Sequence, residues 1–187
     1  MKKKILITGA EGQLGVALQR KFRDKFDIYP TDKITSESGD RLSSKKLDIT
    51  ERSDVETMIN EINPDIIINC AAYTDVDGSE RNKNQAHMVN VVGLQNLIHA
   101  SDHKTYFIQI SSDYVFDGDA GPYSEEDHTY PVNYYGKTKL EAENILRGSR
   151  RQYLIIRPNV LYSEDLIFEA NFFSWVYKSL VNNKSIS

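Results

Sequence analysis

The sequence predicts an α/β fold, a doubly wound parallel sheet with helices on both faces. Three observations carry this reading. Strand-like and helix-like patterns alternate along nearly all 187 residues, the order that builds βαβ units. The segment Asp65 to Ala72 is almost continuously apolar, as a central parallel strand covered on both faces must be. The first strand runs directly into Gly9, Gly12 and Gly15, which open a helix.

Taken in order, Lys4 to Thr8 reads as a short buried strand. Leu14, Leu18 and Phe22 then recur one helical turn apart and give the next segment an apolar stripe. Phe26 to Thr31 is a second strand that ends on Asp32. Leu47-Asp48-Ile49 reads as a short third strand. Ser53-Asp54-Val55-Glu56 has the spacing of a capping box, with Val55, Met58, Ile59 and Ile62 as the stripe behind it. Pro64 closes that helix. Asp65 to Ala72 is the fourth strand, Glu80 to Ala100 one long helix, and Thr105 to Ser111 the fifth strand. A helix over Gly136 to Arg147, a sixth strand over Tyr153 to Arg157 and a helix over Phe168 to Asn182 follow. Two long polar loops, Lys33 to Lys45 and Asp117 to Asn133, leave the C-terminal ends of strands, where this fold class places ligands. No internal repeat or low-complexity segment interrupts the pattern.

The length suits a single domain with a full core. A net charge of −4 argues against nucleic acid as a partner. Lys2 to Lys4 precede only the short apolar run Ile5 to Ile7, which is not a secretory signal. No segment approaches the ~20 apolar residues of a membrane helix. The single cysteine, Cys70, excludes an intramolecular disulfide and fits a reducing cytoplasm. In an apolar strand it reads as a core residue rather than a reactive thiol. His87, His99, His103 and His128 are scattered, so no histidine or cysteine cluster has metal-ligand spacing; Mg²⁺ held by scattered acids is left open but not indicated.

Strand, glycine turn, helix, strand and terminal acid together form a dinucleotide-binding signature. Gly9 allows a sharp turn off the strand, Gly12 lets a pyrophosphate approach the backbone, and Gly15 lets the helix pack close to the sheet. The helix N-terminus offers N–H groups and a positive dipole end to phosphates. Asp32 is placed to accept hydrogen bonds from ribose hydroxyls. Its charge repels a 2′-phosphate and favours NAD over NADP, with Lys33 beside it softening that repulsion.

Tyr135 and Lys139 lie one helical turn apart and so share a face. A tyrosine of pKa near ~10 is a poor acid–base group at neutral pH, and an adjacent ammonium is expected to lower that pKa. The only other such pair, Tyr29 and Lys33, spans a strand end and a loop and need not share a face. At the end of the fifth strand, Ser111 and Ser112 present hydroxyls that either polarise a substrate carbonyl or satisfy their own backbone.

These segments resemble the extended short-chain dehydrogenase/reductase family, and more narrowly its dTDP-4-dehydrorhamnose reductase branch. The stretches that carry the likeness are Ile5 to Gly15 with its Gly-x-x-Gly-x-x-Gly spacing, Leu47 to Thr50, Pro64 to Asp77, Ser111 to Gly118 and Tyr135 to Lys139. The resemblance implies an NAD(P)-binding Rossmann fold with Ser112, Tyr135 and Lys139 as catalytic residues. It implies that Gly9, Gly12, Gln13, Leu14 and Gly15 cradle the cofactor, that Asp48 and Ile49 contact the adenine, and that Ala71, Ala72 and Tyr73 line the cofactor site. Lys139 would also hold the nicotinamide ribose, and Asp113 would touch the sugar. Asn90 shares an inward helix face with Ala86, Gly93 and Leu97; it makes either a structural hydrogen bond or a cofactor contact. The implied reaction is hydride transfer to a keto carbon of a nucleotide-linked sugar in the cytoplasm.

Two features depart from the branch. Val160 stands where the branch carries an aromatic residue near the sugar, so the substrate is expected to differ. Family members are also longer, so residues 1–187 are expected to be one Rossmann domain, the N-terminal part of a longer reductase whose substrate lobe is largely missing. Phe168, Phe172, Phe173 and Trp175 would then pack under further structure or drive formation of a homodimer. Two other readings stay open. One is a non-catalytic, cofactor-binding regulatory subunit resembling the β subunit of methionine adenosyltransferase; the other is a nucleotide-sugar epimerase or dehydratase.

Overall fold

The computed structural model describes residues 1–35, 43–162 and 172–182. Six strands form one parallel sheet: β1 (Lys4–Thr8), β2 (Asp27–Asp32), β3 (Lys45–Lys46), β4 (Ile66–Asn69), β5 (Tyr106–Ile110) and β6 (Tyr153–Ile156). Their spatial order is β3-β2-β1-β4-β5-β6, with every pairing parallel. The chain winds outward from β1 to β3, returns to β4 beside β1, and winds outward again. The reversal between β1 and β4 opens a crevice at the C-terminal strand ends.

The helices are α1 (Gln13–Phe22), α2 (Arg52–Ile62), α3 (Val76–Arg81), α4 (Lys83–His87), α5 (Gly93–Ala100), α6 (Tyr134–Gly148) and α7 (Phe172–Val181). Strand alternation sends side chains to two cores. Leu6, Ile67 and Phe107 join Val55, Ile59, Leu94, Leu97 and Leu146 on the face covered by α2, α5 and α6. Ile5, Ile7 and Ile68 pack on the other face against Leu18 and Phe22 of α1. The doubly wound reading of the sequence is therefore the observed fold.

Several local expectations fail. The third strand is Lys45–Lys46, not Leu47 to Ile49. Leu47 and Ile49 are buried at 3% and 4% exposure, but in a turn. The Asp48 carboxylate accepts hydrogen bonds from the Thr50 backbone (3.0 Å) and hydroxyl (2.7 Å), which folds the chain off the sheet. The capping box does not form, because α2 starts earlier, with Glu51 as its N-cap and no side-chain capping bond. Ser53 lies inside the helix, and Glu56 pairs with Arg52 at 2.7 Å. The long helix expected over Glu80 to Ala100 is divided: Asn82 breaks it after α3, and a π turn over Met88–Val92 joins α4 to α5. The fourth strand is shorter than its apolar run, since Cys70 to Ala72 leave the sheet to form a wall of the crevice.

The loop after β5 is ordered by its own side chains. Tyr123 stacks on Phe116 with ring centroids 4.4 Å apart, and its hydroxyl bonds the Asp117 carboxylate. Residues 36–42 of the other polar loop lie outside the described residues, as do Phe168 and the side chains of Phe172 and Phe173. At the β6 edge, Tyr153, Leu154 and Ile156 are exposed, as are Trp175 and Leu180 of α7. Among the described residues, no helix is long and apolar enough to cross a membrane.

Phe107 is fully buried where β5 meets α5 and α6. Phe107→Ala is expected to destabilise the fold by about 3–5 kcal/mol. Urea unfolding checks this, with the midpoint falling while the slope stays near the wild-type value.

Candidate active site

A cavity of about 550 Å³ lies over the β1–β4 reversal. Its walls are the glycine turn after β1, the segment after β4, the ends of β5 and β6, and the first turns of α6.

The glycine turn is held by close backbone contacts. Gly9 has φ +65°, and a Cβ there would lie 2.6 Å from the Ala71 nitrogen. A Cβ at Gly15 would meet the Gly9 carbonyl at 2.5 Å, so the first turn of α1 sits directly on the end of β1. Gly12 is the N-cap of α1; no side chain caps it and no acid lies in the first turn. The positive end of α1 thus faces the cavity, with Gly9, Gly12, Gln13, Leu14 and Gly15 in its lining. These residues fit the phosphates of a dinucleotide. Asp32, at the end of β2, is tied to the same turn, its Oδ2 accepting the Glu11 N–H at 2.9 Å.

On the opposite wall, Ser112 is the N-cap of a 3₁₀ turn over Asp113–Val115. Its Oγ accepts the Tyr114 N–H at 3.2 Å and donates to Asp113 at 3.0 Å. The local-backbone reading of this serine is met, and the residue also lines the cavity. Tyr135 is 8% exposed and sits edge-on to Tyr114 at 5.7 Å. Burial pushes its phenol above the usual tyrosine range, with Asp113 and Tyr114 adding to the rise and a hydrogen bond with Ser112 opposing it. The expectation that Lys139 would lower this pKa is not met. The lysine ammonium is directed elsewhere, donating to the Ile110 carbonyl at 2.6 Å. Burial lowers Lys139 itself to about 8, with Cys70 and Glu143 opposing the fall.

The N-terminus of α6 is seated on the 3₁₀ turn. Asn133 caps the helix by accepting the Gly136 N–H at 2.8 Å. A Cβ at Gly136 would lie 2.1 Å from the Tyr114 carbonyl, so only glycine allows this approach.

The cavity brings together Ser112, Asp113, Tyr135, Lys139, Ala72, Val160 and the glycine turn. Asp32, Asp48, Ile49, Ala71, Tyr73 and Asn90 lie outside its lining. Ile49 is a core residue and Ala71 packs on the same core. Asp48 pairs with Lys33 at 2.8 Å; burial raises its pKa, but hydrogen bonds from Lys33 and Thr50 outweigh that and hold it low. Of the two roles open to Asn90, the structural one is built. Its Oδ1 accepts the Tyr73 N–H at 2.8 Å, and its Nδ2 donates to Thr138 at 2.9 Å and the Tyr73 carbonyl at 3.3 Å. Asn90 sits on the π turn, a distortion common at functional sites, and fastens the β4 exit to α6.

Cys70 also reaches the lining, with burial driving its thiol up to about 12, so it stays neutral. No group of three or more His, Cys, Asp or Glu residues among the described residues could hold a metal ion.

Sequence reasoning missed a buried charge cluster behind the cavity. Glu143, on α6, is wholly buried and accepts hydrogen bonds from Ser111 Oγ (2.5 Å), Arg157 Nε (2.9 Å) and Arg157 Nη2 (2.7 Å). Arg147 lies 2.9 Å from the same carboxylate. The signal was an acid one turn beyond Lys139, on a helix face otherwise occupied by Thr138, Ala142 and Leu146.

A serine beside a tyrosine–lysine helix, in a cavity that opens on a glycine-rich turn, is the arrangement of the Rossmann-fold short-chain dehydrogenase/reductases. Within that class, the chain belongs to the RmlD substrate binding domain family, which matches residues 2–187. It is 36% identical over 165 residues to dTDP-4-dehydrorhamnose reductase of Aggregatibacter actinomycetemcomitans, covering 86% of this chain and 52% of that protein. It is 34% identical over 164 residues to methionine adenosyltransferase 2 subunit beta of Xenopus tropicalis, covering 87% of this chain and 48% of that one. The crystal structure of dTDP-4-dehydrorhamnose reductase from Bacillus anthracis in complex with NADP superposes with a TM-score of 0.85 at 37% identity, over 97% of this chain and 61% of that one. The chain thus spans about half the length of the curated relatives it matches.

Two predictions follow from this geometry. Lys139 has a lower pKa folded than unfolded, so its burial opposes folding at neutral pH, and that penalty fades as pH rises from about 8 toward 10.5. Ile110 O keeps a second donor, Gln109 Nε2 at 3.0 Å, when the lysine is removed. Lys139→Met is therefore expected to raise the Tm at pH 7, with the gain shrinking between pH 8 and 10.5; a Tm series across pH measures it. Gly136→Ala is expected to push α6 off the 3₁₀ turn. It should weaken the Tyr114–Tyr135 contact in near-ultraviolet circular dichroism while far-ultraviolet signal is retained.

Proposed function

We propose that this chain carries the cofactor-binding and catalytic part of an NAD(P)H-dependent reductase. The substrate is a keto group on a nucleotide-linked deoxysugar, in a reaction like that of dTDP-4-dehydrorhamnose reductase. The observation that carries the reading is one cavity holding Ser112, Tyr135, Lys139 and the uncapped N-terminus of α1. The roles divide by chemistry. A reduced nicotinamide, when bound, supplies the hydride. Ser112 holds and polarises the keto oxygen. Tyr135, kept protonated by burial, delivers its proton to that oxygen as it gains negative charge. Lys139 fixes the nicotinamide ribose, and Asp113 and Val160 meet the sugar.

Asp32 favours NAD, since its carboxylate would face a 2′-phosphate. Lys33 does little to relieve this, because its ammonium lies on Asp48 at 2.8 Å. Residues 1–187 act as the N-terminal Rossmann unit of a longer cytoplasmic protein, and the exposed apolar edge of β6 and α7 is where further chain or a second copy packs. The retained Ser112, Tyr135 and Lys139 favour an enzyme over a regulatory subunit like the Xenopus relative.

Fluorescence titration with NADH and NADPH tests the cofactor reading. Saturable binding that prefers NADH, with Asp32→Ala turning preference toward NADPH, is expected. Turnover of dTDP-4-dehydrorhamnose, reduced roughly 10²–10⁴-fold by Tyr135→Phe, tests the catalytic reading. Cofactor binding without turnover of this or another keto-sugar nucleotide would point instead to the regulatory role.

A further inference from the structure

We infer that Glu143 is a positioning residue of this site: its buried carboxylate clamps the ends of β5 and β6 to α6 and so sets Ser112, Tyr135 and Lys139 against one another. The inference rests on the cofactor-binding and reductase reading above.

The register of contacts carries it. Two consecutive residues at the end of β5 meet two residues one turn apart on α6. The Ile110 carbonyl accepts from Lys139 at 2.6 Å. The Ser111 hydroxyl donates to Glu143 at 2.5 Å. The next residue, Ser112, lines the same cavity as Tyr135. Glu143 thus ties α6 to the residue that stands between Ile110, which receives the Lys139 ammonium, and Ser112. From the other side, Arg157 grips both carboxylate oxygens, at 2.9 and 2.7 Å. The next residue, Pro158, lines the cavity, and its carbonyl accepts the Asp113 N–H at 3.2 Å. Arg157 also stacks over Phe116 at 5.1 Å. One carboxylate therefore fixes the serine wall, the β6 wall and the tyrosine–lysine helix.

A buried ion pair is seldom the most stabilising way to fill such a space, because desolvation offsets the attraction. Its worth here lies in placement. The bidentate arginine fork fixes direction as well as distance. Glu143 also acts by charge. The groups facing Lys139 are Tyr135 and Glu143 from its own helix and Cys70 from the β4 exit, and burial holds Cys70 neutral. Glu143 is thus the anion that favours the lysine ammonium.

Glu143→Gln keeps the shape and removes the charge, whereas Arg157→Lys keeps the charge and removes the fork. The first readout is NADH affinity by fluorescence titration from pH 6 to 10, with Tm recorded for each variant. Wild-type affinity is expected to weaken as Lys139 loses its proton. In Glu143→Gln that weakening should move at least about one pH unit lower, while Arg157→Lys leaves it in place. In the keto-sugar assay both variants should lose at least tenfold in kcat, with the KM for NADH at pH 6.5 within threefold of wild type. If Glu143→Gln changes only the Tm, leaving pH dependence and kcat at wild-type values, the residue is a brace and the inference falls. Should Glu143→Gln not fold, Ser111→Ala decides the point: a tenfold loss of kcat at unchanged Tm supports the clamp, and unchanged kcat overturns it. Wild-type protein that binds neither NADH nor NADPH would overturn the cofactor reading itself, before any variant is compared. If wild type binds but shows no turnover, the reductase reading falls and the pH dependence of binding alone decides the role of Glu143.

Discussion

The site depends on one steric condition, the seating of α6 directly on the backbone at the end of β5. Gly136 lies against the Tyr114 carbonyl so closely that a single Cβ would come within 2.1 Å of it. That contact brings Tyr135 next to Ser112 and lets Lys139 reach the Ile110 carbonyl. The same solution recurs at the other end of the cavity, where Gly15 sits on the Gly9 carbonyl and Gly9 on the Ala71 backbone. In both places a helix N-terminus approaches the sheet with no side chain between. The cavity is the space left between two such close approaches.

Close seating buries polar groups, and this sets the electrostatics. Tyr135 is driven up and Lys139 down, each toward its neutral form. For a proton donor to a developing alkoxide, a phenol held protonated is the useful state. For the lysine, burial works against the charge its proposed role needs, and an anion one turn away compensates. Glu143 is kept ionised in turn: burial alone would raise its pKa, but the bonds from Arg157 and Ser111 and the charges of both arginines hold it low. Arg157 and Arg147 are partly exposed, at 12% and 39%, so the chain of compensation runs outward from Tyr135 and ends in solvent.

The parts of this architecture legible in the sequence were those encoded in local spacing. Gly9, Gly12 and Gly15 after a strand, Asp32 at the next strand end, and Tyr135 with Lys139 one turn apart are short-range patterns, and the structure gathers the glycines, the tyrosine and the lysine around one cavity. The expectations that failed were also local, but there tertiary contacts decided the outcome. Leu47 and Ile49 are buried because the Asp48–Thr50 turn tucks them inward, and apolarity alone does not distinguish that from a strand. Ser53 and Glu56 have capping-box spacing, yet α2 begins two residues earlier, with Glu51 as its N-cap. The π turn around Asn90 answers to Tyr73 and Thr138, 17 and 48 residues away in sequence. The Glu143 cluster joins α6 to β5 and β6 across 32 and 14 residues, and no window along the chain contains it.

The same distinction separates the two halves of the cavity. Its cofactor side is made of backbone at strand ends and a helix N-terminus, positions fixed by the sheet. Its other side is the segment after β6, where Val160, Leu161 and Tyr162 are 64%, 41% and 79% exposed. That segment has no strand or helix of its own through residue 162. It is anchored to the rest by the Ser111 N–H on the Ile156 carbonyl at 2.7 Å, the Asp113 N–H on the Pro158 carbonyl, and Arg157 on Glu143. Beyond those anchors the wall can change residue by residue without disturbing the cradle or the tyrosine–lysine helix. Val160 lines that wall, so in the proposed reaction a substitution there would alter what the cavity admits while Tyr135 and Lys139 stay in place on α6.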